Sequence, residues 1–456
     1  MFIKSNKIQL NPVDASSINE SWIKTLNDRE YMKFSKNRLQ SWSPESQMQY
    51  LNQFDQFKSW CLKITNLKDK SFVGTATLHF DYITGTVNLG FLIFKEFHGQ
   101  NFASDTLKLI CNYLSAYFPN FKIEIGTHTS NLAMIKVIEK EGFKIGFCHT
   151  EVQIVKYYKV TEYFNELTTP KIPPIISWAK KICLVANDAG GAEQLKWLLE
   201  SIHPHPATFL QGPAVKVFEK SSLDYQKLET KEQLSSYDLV LAGSGWMSNF
   251  ENSIIDFCAQ EKIPCIVVLD HWVNYKVRFQ TLAISTLRLL AVNNSMALSL
   301  ANQTFDNSTI WILPDFQIVQ YKKLLDGLIS GEKILVILEP ESKFQNSNEI
   351  IKEMFFDLIE KSLILNISRG FSGLIVRLHP SQSLQDNEIL ELKEHFKGIN
   401  FSTNKELIED LSICSLVVGF SSYALYIAAM CGKETKSYFK SSIEHWTNPI
   451  TEIDSL

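Results

Sequence analysis

The chain lacks any paired-cysteine motif. Its eight cysteines (Cys61, Cys111, Cys148, Cys183, Cys258, Cys265, Cys414, Cys431) are scattered over 456 residues with no CxxC. This excludes the common zinc and dithiol motifs, and apolar settings such as KICLVA and IPCIVVL read as buried reduced thiols. No run of about 18 apolar residues occurs, and Met1–Leu10 is polar with isolated apolar residues, so neither a membrane span nor a secretory signal is expected and the expected location is cytoplasmic. G-x-G-x-x-G and P-loop motifs are missing, which excludes the usual dinucleotide and ATP signatures. Positive charge is not in excess: the formal net charge is -4, which argues against a general nucleic-acid surface. Low-complexity tracts and short-period repeats are absent too.

What is present is a globular composition, 45% hydrophobic and 21% charged, long enough for two or three domains. The pattern changes near residues 165–180. An α+β order precedes that stretch and a repeated strand-then-helix order follows it, while FNELTTPKIPPIISWAKK between them carries three prolines. The expected division is residues 1–164, a linker at 165–180, and two halves at 181–315 and 316–456.

In the first part, Ala15–Leu26 reads as helical and SPES opens a capped helix over Ser43–Phe57. Strands follow at Trp60–Asn66, Ser71–Phe80 and Thr86–Phe94, then a helix at Ala103–Tyr117, a strand at Ile123–His128 and a helix at Ser130–Glu141 closed by Gly142. The stretch FKEFHGQNFASDTLKL (Phe94–Leu109) joins a strand to a helix through small residues, so backbone N–H groups and the positive end of the dipole face whatever occupies the turn. There Gly99 and Ala103 avoid bulk, Asn101 tolerates a left-handed backbone, and Ser104 offers a hydroxyl.

Four stretches in register, FVGTATL, VNLGFLI, HGQNFASDTLKLI and SNLAMIKVIEKEGF, make residues 1–160 resemble the GNAT superfamily of acyl-CoA-dependent N-acetyltransferases, near its ribosomal-protein and amino-sugar branches. The resemblance implies acetyl-CoA as cofactor, its pyrophosphate held by His98, Gly99, Gln100, Asn101, Phe102, Ala103 and Ser104. It also implies a strand splayed at Leu89–Phe94 whose residues, Leu92 and Ile93 among them, pair with the pantetheine arm, and Asn131 beside that arm. The family pattern has Arg or Gln where His98 stands and Gly where Asn101 stands; Ile138 occupies the place of a frequent Tyr acid. Candidates for the base that deprotonates the amine are His79, Asp81, Asp105 and Glu124. Trp22, Tyr31, Phe34 and Trp42 with Arg29 and Arg38 suit an acceptor sugar carrying a diphosphate.

After residue 180, near-continuous apolar strands end in small or polar residues, as in parallel sheets covered on both faces. Ligands of such sheets lie at the strand C-terminal ends, here Asn187–Glu193, Gly243–Trp246, Asp270–Tyr275, Glu339–Glu341, His379–Ser381 and Gly419–Tyr423. NDAGGAEQL, RLHPSQ and GFSSYALYIAAMCG resemble the GT-B architecture of nucleotide-sugar enzymes. That resemblance implies a nucleotide sugar at Gly190, Gly191, Arg278, Ser421 and Ser422, with His271 or His379 as base and Lys276 or Arg377 as further phosphate ligands.

The expected fold is therefore α/β, a GNAT α+β domain followed by a GT-B-like pair of doubly wound Rossmann-type halves. The expected function is bifunctional: N-acetylation of a nucleotide-linked amino sugar, joined to hydrolysis, epimerisation or transfer of a nucleotide sugar in surface-glycan biosynthesis. Three alternatives stay open: a protein N-terminal acetyltransferase, a glycosyltransferase with a degenerate first domain, and a non-catalytic scaffold. Expected partners are small molecules only, with self-association undecided.

Overall fold

The computed structural model describes every residue except 1–2, 150–152, 162–172, 201, 220, 222, 246–247, 273, 280, 328–330, 332, 340–346, 365–372, 380–381, 397–398, 405, 439–452 and 456. Residues 165–172 of the expected linker, together with Trp246, Glu341 and Ser381, lie outside the described residues. The chain falls into two compact units, Met1–Pro314 and Asp315–Leu456.

The first unit opens with an eight-stranded sheet: β1 (Ile3–Lys4), β2 (Ile8–Pro12), β3 (Ser59–Asn66), β4 (Phe72–Asp81), β5 (Thr86–Ile93), β6 (Lys122–His128), β7 (Lys144–His149) and β8 (Ile154–Val160). Their order is β1-β2-β3-β4-β5-β6-β8-β7, and β5 with β6 is the parallel pair among antiparallel neighbours. Helices α1 (Glu20–Asn27) and α2 (Pro44–Leu51) precede β3; α3 (Phe102–Tyr117) links β5 to β6, and α4 (Leu132–Lys140) follows β6.

The expected strands and the two later helices coincide with observed ones to within two residues. The two early helices are shorter than their apolar spacing suggests, because side chains there compete for backbone N–H groups. Asn19 accepts from the Trp22 N–H at 2.9 Å and starts α1 there, leaving Ala15–Ser17 as a 3-10 turn. Past Leu51, Asp55 accepts from the N–H groups of Phe57, Lys58 and Ser59 at 2.8–2.9 Å and holds a loop where the helix was expected to run on.

A short helix, α5 (Pro174–Trp178), occupies most of the remaining linker, burying Ile175 and Ile176 and setting the Trp178 ring 4.3 Å from that of Trp60. Next comes a wholly parallel sheet of β9 (Ile182–Ala186), β10 (Ala207–Leu210), β11 (Leu239–Ala242), β12 (Cys265–Val268), β13 (Leu289–Val292) and β14 (Thr309–Ile312), in the order β10-β9-β11-β12-β13-β14. Its strands are buried along their length, LVLA and LLAV entirely so, as parallel sheets require. The helix α6 (Ala189–Glu200) follows β9.

The second unit holds another parallel sheet: β15 (Lys333–Ile337), β16 (Leu374–Arg377), β17 (Asn400–Phe401), β18 (Cys414–Gly419), β19 (Glu434–Ser437) and β20 (Asp454–Ser455). Its order, β17-β16-β15-β18-β19-β20, is 3-2-1-4-5-6 in its own strands, the doubly wound pattern whose direction reverses between β15 and β18. In the β9–β14 sheet the reversal lies between β9 and β11.

Candidate active site

The pairing of β5 with β6 runs from Thr86–Lys122 to Leu89–Ile125 and then stops. Meanwhile β5 stays on β4 as far as Ile93–Gly74, and β6 stays on β8 as far as His128–Ile154. The two strands therefore diverge after Leu89. The Phe94 N–H donates to the Val73 carbonyl at 2.8 Å, which sets the alternation on β5. Leu92 and Gly90 share that phase, so the backbone groups of Phe91 and Ile93 face the gap rather than β4. At the gap's far end the Ile93 carbonyl meets His98 Nε2 at 3.1 Å and also accepts from the Tyr31 hydroxyl. Burial pushes the Tyr31 hydroxyl up to about 12, so it stays a donor at neutral pH.

Beside the gap, the turn into α3 is left-handed twice, at Gly99 (φ 74°) and Asn101 (φ 64°). Asn101 sits at the N-cap, yet its side chain makes no capping bond, whereas α1, α2 and α4 are capped by Asn19, Ser43 and Asn131. The first N–H groups of α3 are thus left for an anion. Asn131 accepts from the Met134 N–H at 3.3 Å and donates to Thr127 Oγ1 at 3.2 Å, tying α4 to the end of β6. Ser104 already donates to Glu141 at 2.8 Å.

Gap, turn and helix end share one cavity of about 820 Å³. Of the cofactor residues expected from sequence, Leu92, Ile93, His98, Gly99, Asn101, Phe102, Ala103, Ser104 and Asn131 line it; Gln100 does not, its side chain donating back to the Glu96 carbonyl. Trp22, Tyr31, Phe34 and Trp42 line it too, but Arg29 and Arg38 are exposed and away from it. The base candidates are placed elsewhere. His79 follows Thr75 and Thr77 along one face of β4 and lies beyond the lining. Asp81 holds the β4–β5 turn by accepting from the N–H groups of Ile83 and Thr84 at 3.0 and 3.1 Å. Asp105 pairs with Lys7, and Glu124 with Lys122. Sequence reasoning missed Gln47, Tyr50, Thr75 and Thr77; a Gln inside a capped helix carries no signal that it faces inward.

The parallel sheets handle their strand ends differently. At the reversal between β9 and β11, the buried Glu251 carboxylate accepts from the N–H groups of Asn187 and Asp188 at 2.7 and 2.9 Å. Gly191 packs against Gly243, and a Cβ on Gly190 would stand 2.0 Å from Asp270 Oδ2, so this turn is closed by protein atoms. Arg278 is buried, ion-paired with Asp270 and donating to the Ser244 carbonyl at 3.1 Å. Burial and the nearby Asp270 raise the Asp188 carboxyl above its usual range. At the reversal between β15 and β18, the buried Glu339 carboxylate accepts from the Ser421 N–H at 2.8 Å, and Ser422 caps the helix Tyr423–Met430. In both sheets a glutamate carboxylate stands where a bound phosphate would seek backbone donors. The His271 ring lies 4.4 Å from that of Trp272, and His379 is held in a turn by the Gln382 side chain. The described coordinates do not bring either histidine to an open cleft within its own unit.

Residues 7–144 match the family described as Acetyltransferase (GNAT) domain. No curated protein matches the chain. Among solved structures, the chain is similar to a ribosomal-protein alpha-N-acetyltransferase in complex with coenzyme A, at 13% identity and TM-score 0.33, over 36% of this chain and 100% of the other. It is similar also to the spermidine N-acetyltransferase of Vibrio cholerae in complex with CoA and spermine, at 16% identity and TM-score 0.31, over 34% of this chain and 97% of the other. A third is a microcin C7 self-immunity acetyltransferase in complex with acetyl-CoA and AMP, at 14% identity and TM-score 0.30, over 34% and 93%. With the splayed parallel pair and the uncapped α3 turn inside the matched residues, the N-terminal part of this chain is a GNAT acetyltransferase domain.

Proposed function

We propose that residues 1–164 transfer the acetyl group of acetyl-CoA to an amine. The observation that carries this reading is the divergence of β5 from β6 beside an uncapped, left-handed helix entry, which offers one strand edge and one anion site in a single cavity. Bound acetyl-CoA supplies the activated acetyl group, whose C–S bond is exchanged for a C–N bond to the amine. The N–H groups at Gly99–Ala103 and the dipole of α3 hold the diphosphate. The gap-facing groups of Phe91 and Ile93 pair with the extended arm, and an N–H among them steadies the carbonyl oxygen as charge develops there, a contribution worth about 10²–10³ in rate where such donors have been removed. Tyr31 and His98 fix the end of that strand.

In its fuller form the acceptor is a nucleotide-linked amino sugar, which residues 181–456 would hydrolyse, epimerise or transfer. That form rests on the doubly wound strand orders alone; the filled positions at Gly190–Gly191 and Ser421–Ser422 lend it no support.

Calorimetry of the full chain with acetyl-CoA, followed by release of the CoA thiol on adding amines, tests the first part. Saturable binding and amine-dependent release are expected. Absence of binding heat and of protection against thermal unfolding would overturn it.

A further inference from the structure

We infer that the carboxamide of Gln47 selects the acceptor, and that the acceptor is a neutral amino sugar whose hydroxyls pair with that carboxamide. The inference rests on the acetyltransferase reading of the cavity. Gln47 is 1% exposed, lines the cavity, and neither Nε2 nor Oε1 has a hydrogen-bond partner. Buried polar atoms are nearly always bonded, so a carboxamide orphaned at both ends, on the wall of a cavity, points to a partner that arrives from outside. The helix that carries it is fixed: Ser43 and Ser46 form a capping box, Pro44 stands in the first turn, and the Gln47 N–H donates to the Ser43 carbonyl at 2.9 Å.

The surroundings set the class of partner. Trp22, Trp42 and Tyr50 give flat apolar faces, and the sheet beneath is hollowed by Gly90, where a Cβ would stand 3.0 Å from Thr77 Oγ1. Sugar hydroxyls both donate and accept, so they satisfy Oε1 and Nε2 together and rest on aromatic faces. An ammonium group has donors only and leaves Nε2 orphaned. Among the described lining residues the single carboxylate is Glu30, already paired with Lys33 at 2.6 Å, so the wall is not built for a polycation.

The test uses the full chain and its Gln47→Leu variant. It combines acetyl-CoA calorimetry, thermal unfolding without ligand, and acetyl transfer to 2-amino-2-deoxyglucose, a 4-amino-4-deoxyhexose, spermidine and a peptide with a free N-terminal alanine. Gln47→Leu should keep its acetyl-CoA affinity and unfold at an equal or higher temperature, since it removes an orphaned amide. It should lose at least tenfold in kcat/KM for an amino sugar through KM, with kcat little changed. An unchanged KM, a lower unfolding temperature without ligand, or a preference of the native protein for spermidine or the peptide overturns the inference. Failure of the native protein to bind acetyl-CoA overturns instead the reading on which it rests, and the inference with it.

Discussion

Asn101 has a backbone that suits glycine, φ 64°, and a side chain that does not cap the helix it begins. Asn is the mildest non-glycine residue in that region, because its short polar side chain lowers the left-handed cost that most residues meet at about 1–2 kcal/mol. Asn101→Gly is therefore expected to leave stability nearly unchanged and to tighten acetyl-CoA binding a few-fold, by letting the phosphates approach the backbone. Asn101→Val is expected to cost roughly 1–2 kcal/mol in stability and to weaken binding more than tenfold. Calorimetry and chemical denaturation of both variants check this; equal affinity in all three proteins would remove the turn from the binding site. At this scale the left-handed entry was legible, since Gly, Asn and Ala at such spacing leave few other conformations. The Tyr31–His98–Ile93 junction was not, because it joins residues 62 and 67 positions apart through contacts no local pattern records.

Helix α2 shows how an element carries chemistry to a site. Its start is held by a reciprocal pair, the Ser43 N–H donating to Ser46 Oγ at 2.8 Å and the Ser46 N–H to Ser43 Oγ at 3.3 Å. Ser43→Ala removes one of these bonds and should cost about 1 kcal/mol, typical for a lost N-cap. Because the frayed turn adjoins Gln47, the KM for the acceptor should rise several-fold while acetyl-CoA affinity, which depends on β5 and α3, stays as it was. A parallel loss of both would mean that α2 supports the whole cavity rather than its acceptor end. The cap itself was readable from SPES, and the strand periodicities of β3 to β6 were readable too. The end of α2 was not: Asp55 takes three backbone donors and overrides the helical spacing of the apolar residues after Leu51. The parallel sheets follow the same lesson. Their strands were plain in the apolar runs, but nothing local in HW or NDAGG reveals that Glu251 closes the β9 turn or that Arg278 is spent on Asp270.

For the whole molecule, the first unit reaches well past the proline-rich stretch, to Pro314. The acetyltransferase sheet and the β9–β14 sheet meet through side chain to backbone bonds: Asn120 to the Ser308 carbonyl at 2.9 Å, Thr309 to the Pro119 carbonyl at 2.7 Å, and Trp311 Nε1 to the Tyr117 carbonyl at 2.6 Å. Arg288 reaches the Thr84 carbonyl at 2.9 Å, which seats the very hairpin that Asp81 shapes. Between the sheets, Trp178 stacks at 5.6 Å on Phe118, which also meets Trp311 edge-on at 6.3 Å. A fragment cut at residue 164 keeps every cavity residue but strips these rings. Its freed carbonyls can turn to water, so most of the loss comes from the aromatic packing, about 3 kcal/mol for one large ring and its ring–ring contacts. Relative to residues 1–314, the fragment should unfold roughly 6–12 °C lower, given about 2–4 °C per kcal/mol for domains of this size. It should still bind acetyl-CoA below that temperature. A fragment as stable as the longer one would show that the two sheets touch without supporting each other; a longer one that unfolds in two separate transitions would say the same.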